Sequence, residues 1–360
     1  MAANFRKAYY SSLGVKTLEV KPSVENALQG KLLSIDRLNK LCLWIRIPHF
    51  YRPVVWKLLL VSDYRLGVTP VHKEAWGFVA EQRQQHFEIL KESVLLLTRQ
   101  SLDRIDEDLT PLLLAQMIQL ELIQDTPRTI SQTITNEEPP EHLLAISAAF
   151  LEISDSSDQD AFWICLHFIK KMHIDISKSP KSGSQYLKTA FIGNNPVADL
   201  IAKSAAVYPG PEQPLLVSAD QPFINDIRSS IDTMKYLLSL HNLQLFTYIQ
   251  RLNVAWHDVC SCWFRCCFAN VISSHAIESV WDIVIGGAPG ILPYLGLCLL
   301  LSARRKIEAC RSAKEFAALI PQISKFVDVD SVANMSIDMW EIPVLERMSK
   351  ETRKLLGYRF

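Results

Sequence analysis

The stretch Tyr51-Arg-Pro-Val-Val-Trp-Lys-Leu-Leu-Leu60 decides the fold. Pro48 ends the apolar run that begins at Ile35, and Pro53 fits the first turn of a new helix, where a missing N–H costs nothing. In that helix Arg52 and Trp56 stand four apart and share a face. A guanidinium in that place can lie against the indole while its fork bonds a carboxylate or helix-end carbonyls. The pair reads as structural in preference to a direct partner contact.

Outward from this stretch the periodicity stays helical. Trp76, Val79, Phe87, Leu90, Val94 and Leu97 recur at three- and four-residue steps and predict one long helix with a buried stripe. A second helix starts near Asp108-Leu-Thr-Pro111, with Leu113, Met117 and Leu120 on one face. Pro139-Pro140 opens a helix over His142–Ile153, expected to turn Leu144, Ala148 and Leu151 inward. A further apolar helix runs from Asp160 to Ile169. After Phe223 helices resume. One of them carries Ile277, Val280, Trp281 and Val284 on one face, with Ser274 as its expected cap and Trp281 expected in the core. Two more follow, at Ser312–Ile320 and Val332–Trp340. No convincing two-residue alternation occurs, so the chain is expected to be all-α.

Residues 178–224 differ in character, with Pro180, Gly183, Pro196, Pro209, Gly210, Pro211, Pro214 and Pro222. They read as a surface insertion that carries one candidate helix at Val197–Val207. The expected organisation is an N-terminal arm at 1–34, a first helical half at 35–177, the insertion at 178–224, a second half at 225–345 and a basic tail at 346–360.

Composition excludes several classes. Apolar residues make up 49% and charged residues 21% of the 360, a globular balance. Lys+Arg and Asp+Glu are both 38, which argues against a general nucleic-acid binder, since phosphate binding needs basic excess. Met1-Ala-Ala-Asn-Phe-Arg-Lys7 lacks the apolar core of a signal peptide, and eight cysteines stand at irregular spacing. A reducing cytosol is therefore the expected compartment. Ile283–Ser302 has no charge for 20 residues. Glycines and prolines crowd its first half, which leaves about twelve helical residues, too few to span a bilayer. A buried core helix is expected. Cys260, Cys262, Cys266, Cys267 and His257 crowd one apolar stretch with no second ligand pair, so zinc is not expected. Phosphate-cradling glycine loops and hydrolase elbows are absent from the sequence.

Asp125-Thr-Pro-Arg-Thr129 marks a turn and a helix start. Asp125 can bond exposed backbone N–H groups and Pro127 can sit in the first turn. Arg128 is then held outward on a rigid support, unless it is only the solvated arginine of a capped loop.

Arg-x-x-x-Trp at Arg52–Trp56, Leu-x-x-Asp-x-x-Arg-Thr at Leu122–Thr129 and Val-Trp-Asp at Val280–Asp282 resemble, in this order, the signature of the TBC domain. That is the all-helical, two-lobed domain of Rab GTPase-activating proteins. The resemblance implies that Arg128 is an arginine finger supported by Asp125 and Thr129, and that Arg52, Trp56, Trp281 and Asp282 form a structural motif. An arginine supplied in trans to a GTPase is worth roughly 10³–10⁵ in rate. The family's second catalytic residue is a glutamine from Tyr-x-Gln-Gly. Here the chain reads Pro139-Pro-Glu-His-Leu-Leu144, and His142 stands about where the glutamine would be.

A narrower set is similar to the branch of the family that serves as third subunit of the tuberous sclerosis complex. It includes Asn4-Phe-Arg6, Lys40-Leu-Cys42, Val55-Trp-Lys57, Trp263-Phe264 and Ile320-Pro321. This implies binding to a hamartin-like coiled coil, association with a tuberin-like activator, indirect action on Rheb and restraint of TORC1 signalling. It also implies a cytoplasmic location with recruitment to lysosomal or other vesicle membranes. The alternative is direct activation of a Rab GTPase through Arg128. No cofactor is expected of the chain itself, since GTP and Mg would belong to the partner GTPase. A weaker third reading is a helical adaptor that shares only the fold.

Overall fold

The computed structural model describes residues 24–25, 27–28, 35–44, 47–60, 76–98, 109–124, 138–154, 157–176 and 226–347. The insertion, its candidate helix at 197–207 and the basic tail beyond Arg347 lie outside them, as does most of the N-terminal arm. Among the described residues the structure is helical, with no strand.

The first half contains α1 (Ile35–Trp44), a 3-10 turn at His49–Tyr51, α2 (Arg52–Leu60), α3 (Trp76–Leu97), α4 (Pro111–Gln124), α5 (Glu141–Ile153) and α6 (Asp158–Met172). The second half contains α7 (Ile227–His241), α8 (Leu243–Arg251), α9 (Trp256–Arg265), α10 (Ser274–Ile285), α11 (Leu292–Ser302), α12 (Arg304–Ile307), α13 (Ala313–Leu319), a 3-10 segment at Ile320–Phe326 and α14 (Val329–Arg347). The last helix thus runs two residues past the boundary expected at 345.

Local chemistry sets the ends. In α6 the Ser157 hydroxyl accepts from the Asp160 N–H at 3.2 Å. Asp158 and Asp160 lie in its first turn and Lys170 and Lys171 in its last, so charge complements the helix dipole at both ends. His173 closes it in the left-handed region at φ 50°, and the Ile174 N–H donates to the Ile169 carbonyl at 3.1 Å. Asp226 caps α7 and Asn242 caps α8 through side-chain oxygens. Ser312 accepts from Glu315 N–H, and Glu315 reaches back to the Arg311 N–H at 2.7 Å, so α13 starts on a reciprocal pair.

The helix α10 joins the halves. Nine of its twelve residues are buried, and it packs on α1, α2 and α5 on one side and on α14 on the other. Trp281 sits at its centre, fully buried. Its ring lies 4.8 Å from Phe150, 4.9 Å from Phe168 and 6.4 Å from Trp56, centroid to centroid. Its Nε1 donates to the Cys267 carbonyl at 3.1 Å, so the polar edge is satisfied within the apolar cluster.

Three expectations are corrected. In α5 the fully buried face is Leu143, Ile146, Phe150 and Ile153; Leu144 and Leu151 are half-buried and pack against the core as expected, whereas half-buried Ala148 is not part of it. Phe150 fills the space beside Trp281, and that contact sets the rotation of the helix. In α3 Phe87, Leu90, Val94 and Leu95 are buried, whereas Leu97, the last residue of the helix, is exposed. Ser273, not Ser274, is the N-cap of α10. The Ser274 hydroxyl donates to Glu152 instead. The uncharged stretch from Ile283 is broken at Gly286-Gly287 and Pro289, and no described helix is long and apolar enough to cross a membrane.

Candidate functional site

The four-residue spacing of Arg52 and Trp56 aims both at α10, and they meet there on one carboxylate. Arg52 Nε donates to Asp282 at 3.2 and 3.0 Å, and Trp56 Nε1 donates to Asp282 Oδ1 at 2.8 Å. The pair is thus joined through Asp282, while the Trp56 ring packs edge-on against Phe150 at 6.0 Å. One turn earlier on α10 stands Glu278. Arg52 Nη1 lies 2.5 Å from Glu278 Oε1, and Nη2 donates to Ser279 Oγ at 3.4 Å. A single guanidinium, 4% exposed, therefore spans two carboxylates one turn apart. His49 Nδ1 reaches Glu278 Oε2 at 2.8 Å from the 3-10 turn before α2, and His275 Nδ1 lies 3.8 Å from Oε1.

Two carboxylates share one permanent cation in this network. Burial pushes Asp282 from 3.8 up to about 7, against the opposing pull of Arg52 and the Trp56 N–H and with a further push from Glu278. Such a network is weak evidence for stability but a strong constraint on register, since removing either sign leaves a buried charge without its partner. Lys171 of α6 adds a second tie. Its Nζ donates to the Ile285 carbonyl at the end of α10, at 2.8 Å. Burial lowers its pKa.

Glu278, Ser279, His49 and Lys171 were not singled out from the sequence. Glu278 had a usable signal: it lies four residues before Asp282, on the same helical face. The other three have none, because their partners are more than a hundred residues away.

Asp125, Arg128 and Thr129 lie outside the described residues, immediately after α4. His142 lies within them, in the first turn of α5, where Pro140 is the N-cap and its carbonyl accepts from the Leu143 and Leu144 N–H groups. Its Nε2 lies 2.6 Å from the Asp175 carbonyl, in the extended chain after α6. A carbonyl only accepts, so Nε2 carries the hydrogen. Burial lowers the pKa of His142, and the neutral ring then has only Nδ1 left, as an acceptor. A glutamine amide offers a donor and an acceptor together, so His142 in this setting supplies half of what a water-positioning glutamine supplies.

The cysteine group is packing. Cys260, Cys266 and Cys267 are buried, and burial pushes all three thiols up, that of Cys266 to about 12. Cys266 Sγ donates to Asn270 Oδ1 at 2.7 Å. Among the described residues no cluster of three or more metal-ligating side chains occurs.

Residues 217–308 match the family model of the Rab-GTPase-TBC domain. The chain is 25% identical over 346 residues to TBC1 domain family member 7 of Homo sapiens, an alignment that covers 94% of each. It is 26% identical over 348 residues to the protein of the same name from Danio rerio, again over 94% of each. The crystal structure of the Ypt/Rab-GAP domain of Gyp1p is similar with a TM-score of 0.52 at 10% identity. That match covers 91% of this chain and 99% of the other, and shows the fold. Among its described residues the chain is all-α, and it is similar over nearly its whole length to TBC1 domain family member 7.

Proposed function

We propose that the chain is a TBC-domain regulatory subunit that binds a hamartin-like coiled coil and supports activation of Rheb by a tuberin-like partner, restraining TORC1 signalling. The observation that carries this reading is the end-to-end similarity to TBC1 domain family member 7, at 94% of both chains. Two features support it. His142, about where the resemblance would put the glutamine, has Nε2 committed to the Asp175 carbonyl. Phe78, Ile89 and Leu96 are exposed on α3, eleven and seven residues apart, and both steps return to within about 20° of one face. A row of apolar anchors on a helix fits a helical partner. The domain in this reading comprises the halves 35–177 and 225–345 with the insertion between them. The complex carries the chain to lysosomal or other vesicle membranes.

A second reading is direct activation of a Rab GTPase. It is favoured by the Rab-GTPase-TBC match at 217–308 and by the intact Asp125-Thr-Pro-Arg-Thr129, with Arg128 as the finger. GTP and Mg belong to the GTPase in both readings. Single-turnover GTP hydrolysis by a Rab panel and Rheb separates the two. The purified chain, Arg128→Ala and a hamartin-like coiled-coil fragment are the additions. Tight binding of the fragment by both proteins, without stimulation by the chain alone, is expected. Strong stimulation lost in Arg128→Ala would sink the subunit reading.

A further inference from the structure

The short helix α12 carries Arg304-Arg305-Lys306 at the surface, between two exposed apolar groups from other parts of the chain. Ala303 and Ile307 on either side of the triplet are buried, at 2% and 0% exposure. At 100° per residue their mean direction lies opposite Arg305, which therefore points straight out, with Arg304 and Lys306 on its two flanks. Arg304 reaches one way. Its Nη2 donates to Gln244 Oε1 at 3.3 Å, beside Leu243 at the start of α8. Lys306 reaches the other way, with Nζ 4.9 Å from the centroid of the Phe326 ring. Leu243 is 64% and Phe326 44% exposed, and Leu240, one helix earlier, is 62% exposed. Lys325 adds an exposed cation next to Phe326.

This edge is rigid. Phe316 of α13 and Ile320 and Ile323 of the 3-10 segment are fully buried, and Phe316 meets Trp256 edge-on at 6.3 Å. Tyr248 of α8 donates to the Glu308 and Cys310 carbonyls at 2.8 and 2.7 Å. Of the acids here Glu308 pairs with Arg304 at 2.7 Å, while Glu315 is held by the Arg311 N–H and Asp328 by Ser331 and the Asp330 N–H. No described carboxylate forms a salt bridge with Arg305 or Lys325. Phe326 is met on one face only by the Lys306 ammonium, and Leu243 stays 64% exposed.

We propose that this edge, Arg304-Arg305-Lys306 with Lys325 between Leu243 and Phe326, docks on an anionic lipid bilayer. Cations alternating with protruding apolar side chains suit that interface. The charges meet acidic headgroups while the apolar side chains enter the acyl boundary. Lys306 holds its ammonium over the Phe326 face, so a cation and an apolar ring are presented together at this edge. An acidic helix is the other candidate occupant, but it would call for a continuous row of anchors along one groove. Here Leu243 and Phe326 stand on opposite sides of the triplet. The surface belongs to the chain itself and does not depend on the coiled-coil assembly proposed above.

Vesicle co-sedimentation of the full chain tests this without any partner. Binding to phosphatidylcholine vesicles with three-tenths phosphatidylserine is expected, with little binding to phosphatidylcholine alone. Arg305→Glu with Lys306→Glu should lower the partition by at least about tenfold. Phe326→Ala should lower it with all charges kept. Both variants should melt as the parent does, since the altered groups are exposed. Raising the salt should weaken binding. Equal sedimentation with neutral and anionic vesicles would overturn the proposal, as would partition unchanged in both variants. Capture by immobilised poly-glutamate without binding to vesicles would also overturn it, in favour of an acidic protein partner.

Discussion

Asp282 takes hydrogen bonds from two side chains of the other half of the chain and holds neither by charge alone. The Trp56 N–H reaches it at 2.8 Å and the Arg52 Nε at 3.0 Å. Because burial lifts its pKa from 3.8 to about 7, between about pH 4 and pH 7 the folded chain keeps a proton there that the unfolded chain has already released. A carboxylate shifted upward favours the folded state most at low pH. Its contribution falls as pH rises from about 4 to about 7 and is level above that. The total is a few kcal/mol at about 1.4 kcal/mol per unit. Asp282→Asn removes this slope. Urea unfolding of both proteins at pH 4.5 and 7.5 should show the parent losing stability relative to the variant as pH rises. The same difference at both values would contradict the shift. Arg52, Trp56, Asp282 and Trp281 were legible in the sequence through spacing and motif order. Glu278 was not, because an acidic residue on an amphipathic helix ordinarily faces solvent and only the fold turns this one onto Arg52.

Between elements, the closest approach is at the end of α10. A Cβ on Gly286 would lie 2.9 Å from Cys42 Cβ, 3.1 Å from the Asp282 carbonyl oxygen and 3.2 Å from that of Asn39. Gly286 has ordinary helical angles, φ −65° and ψ −4°, so the missing side chain is needed for space and not for conformation. Two of the three obstacles are near-fixed backbone atoms, and Gly286→Ala should cost about 1–3 kcal/mol by pushing α1 away from α10. Gly296 in α11 offers a contrast. A Cβ there would meet the Met234 thioether, a flexible group, with Phe268 Cζ at 3.4 Å. Gly296→Ala should be close to neutral, because the helical gain of about 0.5–1 kcal/mol offsets the displacement of Met234. Denaturant midpoints for the two variants check the order, and the reverse order would refute this account of the α1–α10 contact. The longer helices were read correctly because apolar periodicity is local, whereas the four-residue α12 was not read, being too short to show a period. The faces of α3 and α5 were misread at Leu97 and Ala148 because both helices are apolar over more than one face, and tertiary neighbours choose among them.

Across the whole molecule, α10 belongs to the second half by sequence and to both halves by packing. Its Trp281 sits among Phe150, Phe168 and Trp56, all from the first half. A core shared in this way should unfold once. Trp281→Ala should cost about 3–5 kcal/mol and lower the transition of the entire chain. Calorimetry and tryptophan fluorescence should give coincident midpoints before and after the substitution. Two separated steps would show that the halves fold independently. The sequence by itself determined the all-α class and the shared face of Arg52 and Trp56, since these follow from periodicity, proline placement and four-residue spacing, while Asp282 was marked only by the resemblance to the TBC signature. Only the tertiary structure decided that Glu278 is turned inward onto Arg52, that His142 gives its Nε2 hydrogen to the Asp175 carbonyl, and that Leu243, Arg305 and Phe326 share one edge. Each of these joins residues distant in the chain, and local propensity contains no term for a neighbour brought from elsewhere in the fold.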